Sequence, residues 1–153
     1  MVRSIAESKH SKKRVLILDT DHFSEWERAS AAGNRFRARI EPTKPAMALT
    51  IITIEEQMRG WLAEISRHRD PHRQITGYAK LQQQVEVFAD WVILSWDSDS
   101  AGFFLRLRHQ GVRIGSMDLK IACIALAHGA TLLTRNSNDF ARVPGLRFEN
   151  WLD

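Results

Sequence analysis

Five short apolar runs alternate with longer segments of helical periodicity: "RVLIL" (14–18), "MALTII" (47–52), "VILSW" (92–96), "ATLLT" (130–134) and "LRFENW" (146–151). Unbroken apolar, β-branched runs suit strands buried on both faces, and helical crossovers are what parallel strands require. The pattern predicts an α/β fold with a mainly parallel central sheet flanked by helices. One helix is expected over 21–32, with Asp21 as its N-cap and Gly33 as its stop, and a short one over 34–40. Further helices are expected over 53–69, 72–91, 97–111 and 116–129, with a helical turn over 137–143. Thr53 would cap the first of these, leaving Glu56 in capping-box position.

Right-handed crossovers place ligands beyond the carboxyl ends of parallel strands. Asp19 follows the first strand, Glu56 follows "LTII" within the first turns of its helix, and Asp139 follows "ATLL" in "TRNSNDF". All three therefore fall on one rim. Asp118 opens the helix "SMDLKIACIALAHG" and shares a face with Ile121, Ala122 and Ala125, while Lys120 points elsewhere. Four carboxylates in one pocket without counter-charge would have steeply raised pKa values. Hard divalent cations relieve that repulsion, and all-oxygen ligation favours Mg²⁺ or Mn²⁺. Such a site suits metal-assisted phosphoryl hydrolysis.

Each acid also has a plainer reading. Asp19 and Asp139 could be turn residues, and Glu56 could merely close a capping box. Asp97 and Asp99 read as an N-cap and a first-turn acid favoured by the helix dipole. His22 reads as a structural histidine, and His128 as one favoured by a helix C-terminus. The single cysteine, Cys123, sits in an apolar helical pattern, so an intrachain disulfide and a cysteine-built zinc site are both excluded.

"LILDTDHFS", "LTIITIEEQMRG" and "RIGSMDLKIACIALAHGATLLTRNSNDFARVPGLRFENW" resemble the successive motifs of PIN-domain ribonucleases, most closely the VapC-type toxins of toxin–antitoxin pairs. The resemblance runs from about Arg14 to Trp151. It implies a PIN-like three-layer sandwich, Mg²⁺- or Mn²⁺-dependent cleavage of RNA, and a cognate antitoxin that blocks the site. Carried onto this chain, it implies Asp19, Glu56, Asp118 and Asp139 as catalytic acids, with Asp19, Asp118 and Asp139 holding metal. Asn136 supports Asp139, while Thr20, Thr53 and Thr134 match hydroxyl positions that could orient ligands or water. Asp21 stands where family members often have Asn and could add charge beside the ligands. A metal-activated water would attack the scissile phosphate in line, leaving a 5′-phosphate and a 3′-hydroxyl. Arg59, Lys120 and Arg135 neighbour the acids in sequence and are candidates for holding RNA phosphates, although each could be an ordinary surface cation. A structured RNA such as transfer RNA or a ribosomal RNA loop is typical of the family.

Two rival classes stand beside this reading. "LILDTDHF" also resembles the opening of haloacid-dehalogenase-like phosphatases, although Phe23 and the lack of a suitable lysine segment argue against it. A catalytically inactive PIN scaffold that binds RNA or protein is the other. Aromatic residues at Trp26, Phe36, Trp61, Phe103 and Phe104 could form a dimer face or an antitoxin groove, or simply core, and a homodimer is expected by family analogy.

A chain of 153 residues with 44% hydrophobic and 26% charged residues fits one soluble domain, expected over 14–153. Arg3, Lys9, Lys12, Lys13 and Arg14 against Glu7 already make up the net charge of +4. Residues 1–13 thus read as a basic, flexible tail on a charge-balanced body. With no spanning apolar run and no secretory h-region, a cytoplasmic protein without membrane contact is expected.

Overall fold

The structure, a computed structural model, describes residues 14–153, so the expected basic tail lies outside the described residues. Strand β1 (Leu16–Leu18) feeds α1 (Thr20–Arg28) and α2 (Ala31–Ile40), and β2 (Met47–Thr50) feeds α3 (Ile51–Ser66) and α4 (Ile75–Ala89). Then β3 (Ile93–Leu94) leads to α5 (Ser98–His109) and α6 (Ser116–Ala127), while β4 (Thr131–Leu133) leads through α7 (Ser137–Phe140) to β5 (Arg147–Glu149). The sheet order is β3-β2-β1-β4-β5, and every neighbouring pair is parallel.

The strands show why the apolar runs are unbroken. Leu16 and Leu18 enter the core packed by Phe23, Phe36, Ile40 and Phe88, whereas Ile17 enters the opposite core with Leu119, Ala122 and Cys123. On β4, Leu132 and Leu133 divide the same way. Successive side chains of a strand point to opposite faces, so a central strand here must be apolar at every position. Helices α1, α2 and α4 cover one face and α5 and α6 the other, giving the three-layer α/β sandwich.

Several local expectations need correction. Asp19, not Asp21, is the N-cap of α1, because the helix begins immediately after the strand at Thr20. The helix expected over 21–32 breaks at Ala29, which takes the left-handed conformation (φ 51°) as the C-cap of α1. Gly33 is no stop. It lies in the first turn of α2, whose cap Ser30 accepts a hydrogen bond from the Gly33 N–H. A Cβ there would sit 2.0 Å from the Glu25 carbonyl oxygen, so glycine is what lets α2 pack onto α1. Thr50 rather than Thr53 caps α3, accepting from the Thr53 N–H. Glu56 is therefore too far along the helix to close a capping box. The strand expected over 92–96 contracts to two paired residues, Ile93 and Leu94. Asp97 does cap α5, and Gly111 (φ 88°) follows its end, as expected.

Candidate active site

The chain adds β2 and β3 on one side of β1, then crosses to place β4 on the other. That reversal opens a crevice at the carboxyl ends of β1 and β4, where open α/β sheets bind ligands. The Asp19 N–H still bonds to the Leu133 carbonyl (2.9 Å), so Asp19 is the last residue tied into the sheet before α1 turns away. Asp19 is 8% exposed, and its carboxylate accepts from the Thr20 N–H (2.9 Å) and the Thr134 hydroxyl (2.8 Å).

Asp118 sits half-buried in the first turn of α6, whose cap Gly115 offers no side chain to that helix end. Asp139 lies in α7 across the crevice. The Asn136 side-chain amide spans the two, donating to Asp139 Oδ2 (3.1 Å) and, at longer range, to Asp118 Oδ2 (3.4 Å). Glu56 projects half-buried from α3 and begins an open groove of about 720 Å³ between α3 and α4 that also takes in Trp61, Arg73 and Lys80.

The electrostatics record the crowding. Burial pushes the Asp19 carboxyl up, Thr134 pulls it back, and the charges of Asp21 and Asp118 push it up further. Burial also raises Asp118, helped by Asp139 and Asp21. Glu56 is pushed up to about 6 by burial and by the charges of Asp19, Asp118 and Glu55. Burial is the largest cause in all three, and the neighbouring carboxylates add to it. Among the described residues, however, no three His, Cys, Asp or Glu side chains are drawn together as a ready metal-ligand set. The acids sense one another's charge across the rim, and the Asn136 amide joins the Asp118 and Asp139 carboxylates.

The supporting residues divide. Thr134, fully buried, holds Asp19 and also accepts from the Asn136 N–H (3.0 Å). The Thr20 hydroxyl is buried without a hydrogen-bond partner beside Asp19. Thr53 is instead absorbed into the start of α3, its hydroxyl 3.2 Å from that of Thr50. Asp21 lies in the first turn of α1, and although burial works to raise it, bonds from His22 and the Arg135 N–H hold its carboxyl below the usual range.

The three cations expected to meet RNA already have partners. Arg59 pairs with Glu55 (2.6 Å), Arg135 with Asp153 (3.1 Å) and Glu25 (3.8 Å), and the Lys120 ammonium lies 5.8 Å from the Trp96 ring centre. His22 is more engaged than the sequence suggests. It is fully buried and bonded at both ring nitrogens, to Asp21 and to the Trp151 N–H. Of the aromatics, Phe36 is fully buried, Trp26, Phe103 and Phe104 pack partly buried against the cores, and Trp61 lines the groove.

The model of the PIN domain matches residues 16–146, which include all four acids. The chain belongs to the PIN domain family. That membership displaces the phosphatase reading of "LILDTDHF". Curated relatives include Ribonuclease VapC2 of Rickettsia felis, 49% identical over 45 residues, and Ribonuclease VapC1 of Haemophilus influenzae, 44% identical over 45 residues. Each match takes in 29% of this chain and spans only about a third (34%) of the relative.

The likeness in fold reaches well beyond that segment. The solved structure of VapBC-1 from nontypeable Haemophilus influenzae superposes with a TM-score of 0.69 at 22% identity, covering 91% of this chain and 99% of that one. The structure of VapBC2 from Rickettsia felis, bound to a DNA fragment from its promoter, gives 0.65 at 22% identity over 90% and 98%.

Proposed function

We propose that this PIN domain is a metal-dependent endoribonuclease, the toxin of a toxin–antitoxin pair, working at the rim of Asp19, Glu56, Asp118 and Asp139. The observation that carries the reading is the set of raised carboxyls at the switch point of the sheet, in a chain similar to VapC ribonucleases. The donors fit Mg²⁺ or Mn²⁺: they are carboxylate oxygens crowded by one another's charge, and the buried Thr20 hydroxyl next to Asp19 has no hydrogen-bond partner. Asp19, Asp118 and Asp139 would hold the metal, which when bound supplies positive charge that polarises the phosphodiester and acidifies a water.

The chain's own residues do the rest. Thr134 fixes the Asp19 carboxylate, and Asn136 keeps Asp118 and Asp139 facing one another. Glu56, at about 6, can take the proton of the attacking water at neutral pH. Water oxygen then joins phosphorus as the bond to the 3′-oxygen breaks, and that oxygen takes a proton from solvent. The products are a 5′-phosphate and a 3′-hydroxyl. Arg59, Lys120 and Arg135 serve as phosphate contacts by exchanging their present partners for RNA.

A structured RNA such as transfer RNA or ribosomal RNA is the expected target, since sequence-specific readers use unpaired, splayed segments. The solved relatives named above are VapBC complexes, which supports a cognate antitoxin here and, by analogy, a homodimer acting in the cytoplasm. Among the described residues, no helix is long and apolar enough to cross a membrane. The test is to incubate purified protein with transfer and ribosomal RNAs in Mg²⁺, Mn²⁺ or chelator and to identify the cut ends. Metal-dependent cuts bearing 5′-phosphates support the proposal, while cuts that persist in chelator, or end in cyclic phosphates, refute it.

A further inference from the structure

His22 has no role in the scheme above, yet it occupies the most constrained polar position near the rim. It is fully buried, with its ring edge-on to Phe36 at 5.4 Å. Its Nε2 accepts from the Trp151 N–H (3.1 Å), and its Nδ1 lies 2.6 Å from Asp21 Oδ1. A backbone N–H can only donate, so Nε2 must carry the lone pair and Nδ1 the proton given to Asp21. The second oxygen of Asp21 accepts from the Arg135 N–H (2.9 Å).

Arg135 lies between Thr134, which bonds to Asp19, and Asn136, which bonds to Asp118 and Asp139. One unbroken path of hydrogen bonds therefore runs from residues 150–153 through His22 and Asp21 to the loop that orients the acids. The same segment is held from other sides: Arg135 bonds to Asp153, Arg35 donates to the Leu152 carbonyl (3.3 Å), and Arg39 lies 4.0 Å over the Trp151 ring. A buried imidazole is costly to desolvate unless both nitrogens are used, and here both are.

We infer that His22 is a positioning residue: seated on its far side by the Trp151 N–H, it holds Asp21 against the 134–136 loop through its Nδ1 bond, and so sets the spacing of the acids for a divalent cation. The inference rests on the rim being a cation-dependent nuclease site.

The experiment compares wild type with His22→Phe, which keeps the ring against Phe36 but loses both bonds. His22→Asn is the rescue, because its amide can still donate to Asp21. Mn²⁺ affinity is measured by calorimetry, and hydrogen exchange is followed at Arg135 and Asn136 relative to the amides of β1 and β4. His22→Phe should weaken Mn²⁺ binding by about ten-fold and speed exchange at the two loop amides selectively, and His22→Asn should restore most of both.

A merely structural histidine would lower global stability and quicken exchange everywhere while Mn²⁺ affinity held; that result overturns the inference. So does a His22→Asn protein as weak for Mn²⁺ as His22→Phe. If His22→Phe does not fold, His22→Gln, which reaches Trp151 but not Asp21, takes its place. If wild type binds no Mn²⁺, the nuclease reading fails, and exchange alone decides. Selective loosening reversed by Asn then upholds the link to the loop, and uniform or unchanged exchange overturns it.

Discussion

At the scale of the residue, the rim is held together less by its acids than by neutral groups between them. Thr134 donates to Asp19 and accepts from the Asn136 N–H, so one hydroxyl joins the β1 acid to the loop that serves Asp118 and Asp139. Thr134→Val preserves shape and removes both bonds. It should push the Asp19 carboxyl further up and lower stability by about 1–3 kcal/mol, measured by urea unfolding at neutral pH, since a buried carboxylate loses a donor.

That the four acids gather near one rim was legible in the sequence, because Asp19 and Asp139 come after strands, Asp118 opens a helix and Glu56 lies early in the helix after a strand. The bonds around them were less so, because Asp19 is held by Thr134 across more than a hundred positions. Nor could spacing reveal that His22 faces Trp151, or that Arg59 and Arg135 are already paired.

At the scale of the element, the apolar runs named the right strands in the right places, since burial on both faces leaves no choice of residue. Boundaries fared worse where two helices meet. The break between α1 and α2 was assigned to Gly33, but a left-handed Ala29 followed by the Ser30 cap makes it. Gly33 answers to tertiary packing against Glu25, which local pattern does not encode. Gly33→Ala should therefore destabilise the protein by about 1–3 kcal/mol, as α2 is forced off α1. Gly60 in α3 is the control, with open space around its Cβ position. Gly60→Ala should stabilise by about 0.5–1 kcal/mol through helix propensity, and thermal melts of the two variants should move in opposite directions.

At the scale of the whole molecule, the acids make folding depend on pH and on cations. Asp19, Asp118 and Glu56 bind protons more tightly folded than unfolded. Their contribution to stability is present below the ordinary carboxylate range and is lost as pH rises, for Glu56 between 4.5 and about 6. Asp21 runs the other way, its contribution being lost as pH falls below 3.8. In chelator, the melting temperature should fall as pH rises through that Glu56 window. Glu56→Gln should flatten the fall by no more than about 1 kcal/mol, because much of that side chain is exposed. Adding Mg²⁺ or Mn²⁺ at neutral pH should raise the melting temperature, since a ligand of the folded state alone stabilises it.

The most direct test of the central claim is cleavage of a mixed RNA set in Mn²⁺ by wild type, Asp19→Asn and Asp118→Asn, with each protein first shown to be folded. The account predicts cuts at few positions by wild type and at least a hundred-fold loss in both variants. Variants that cut as wild type does, or a folded wild type that cuts nothing and serves instead as an inactive scaffold, would contradict it.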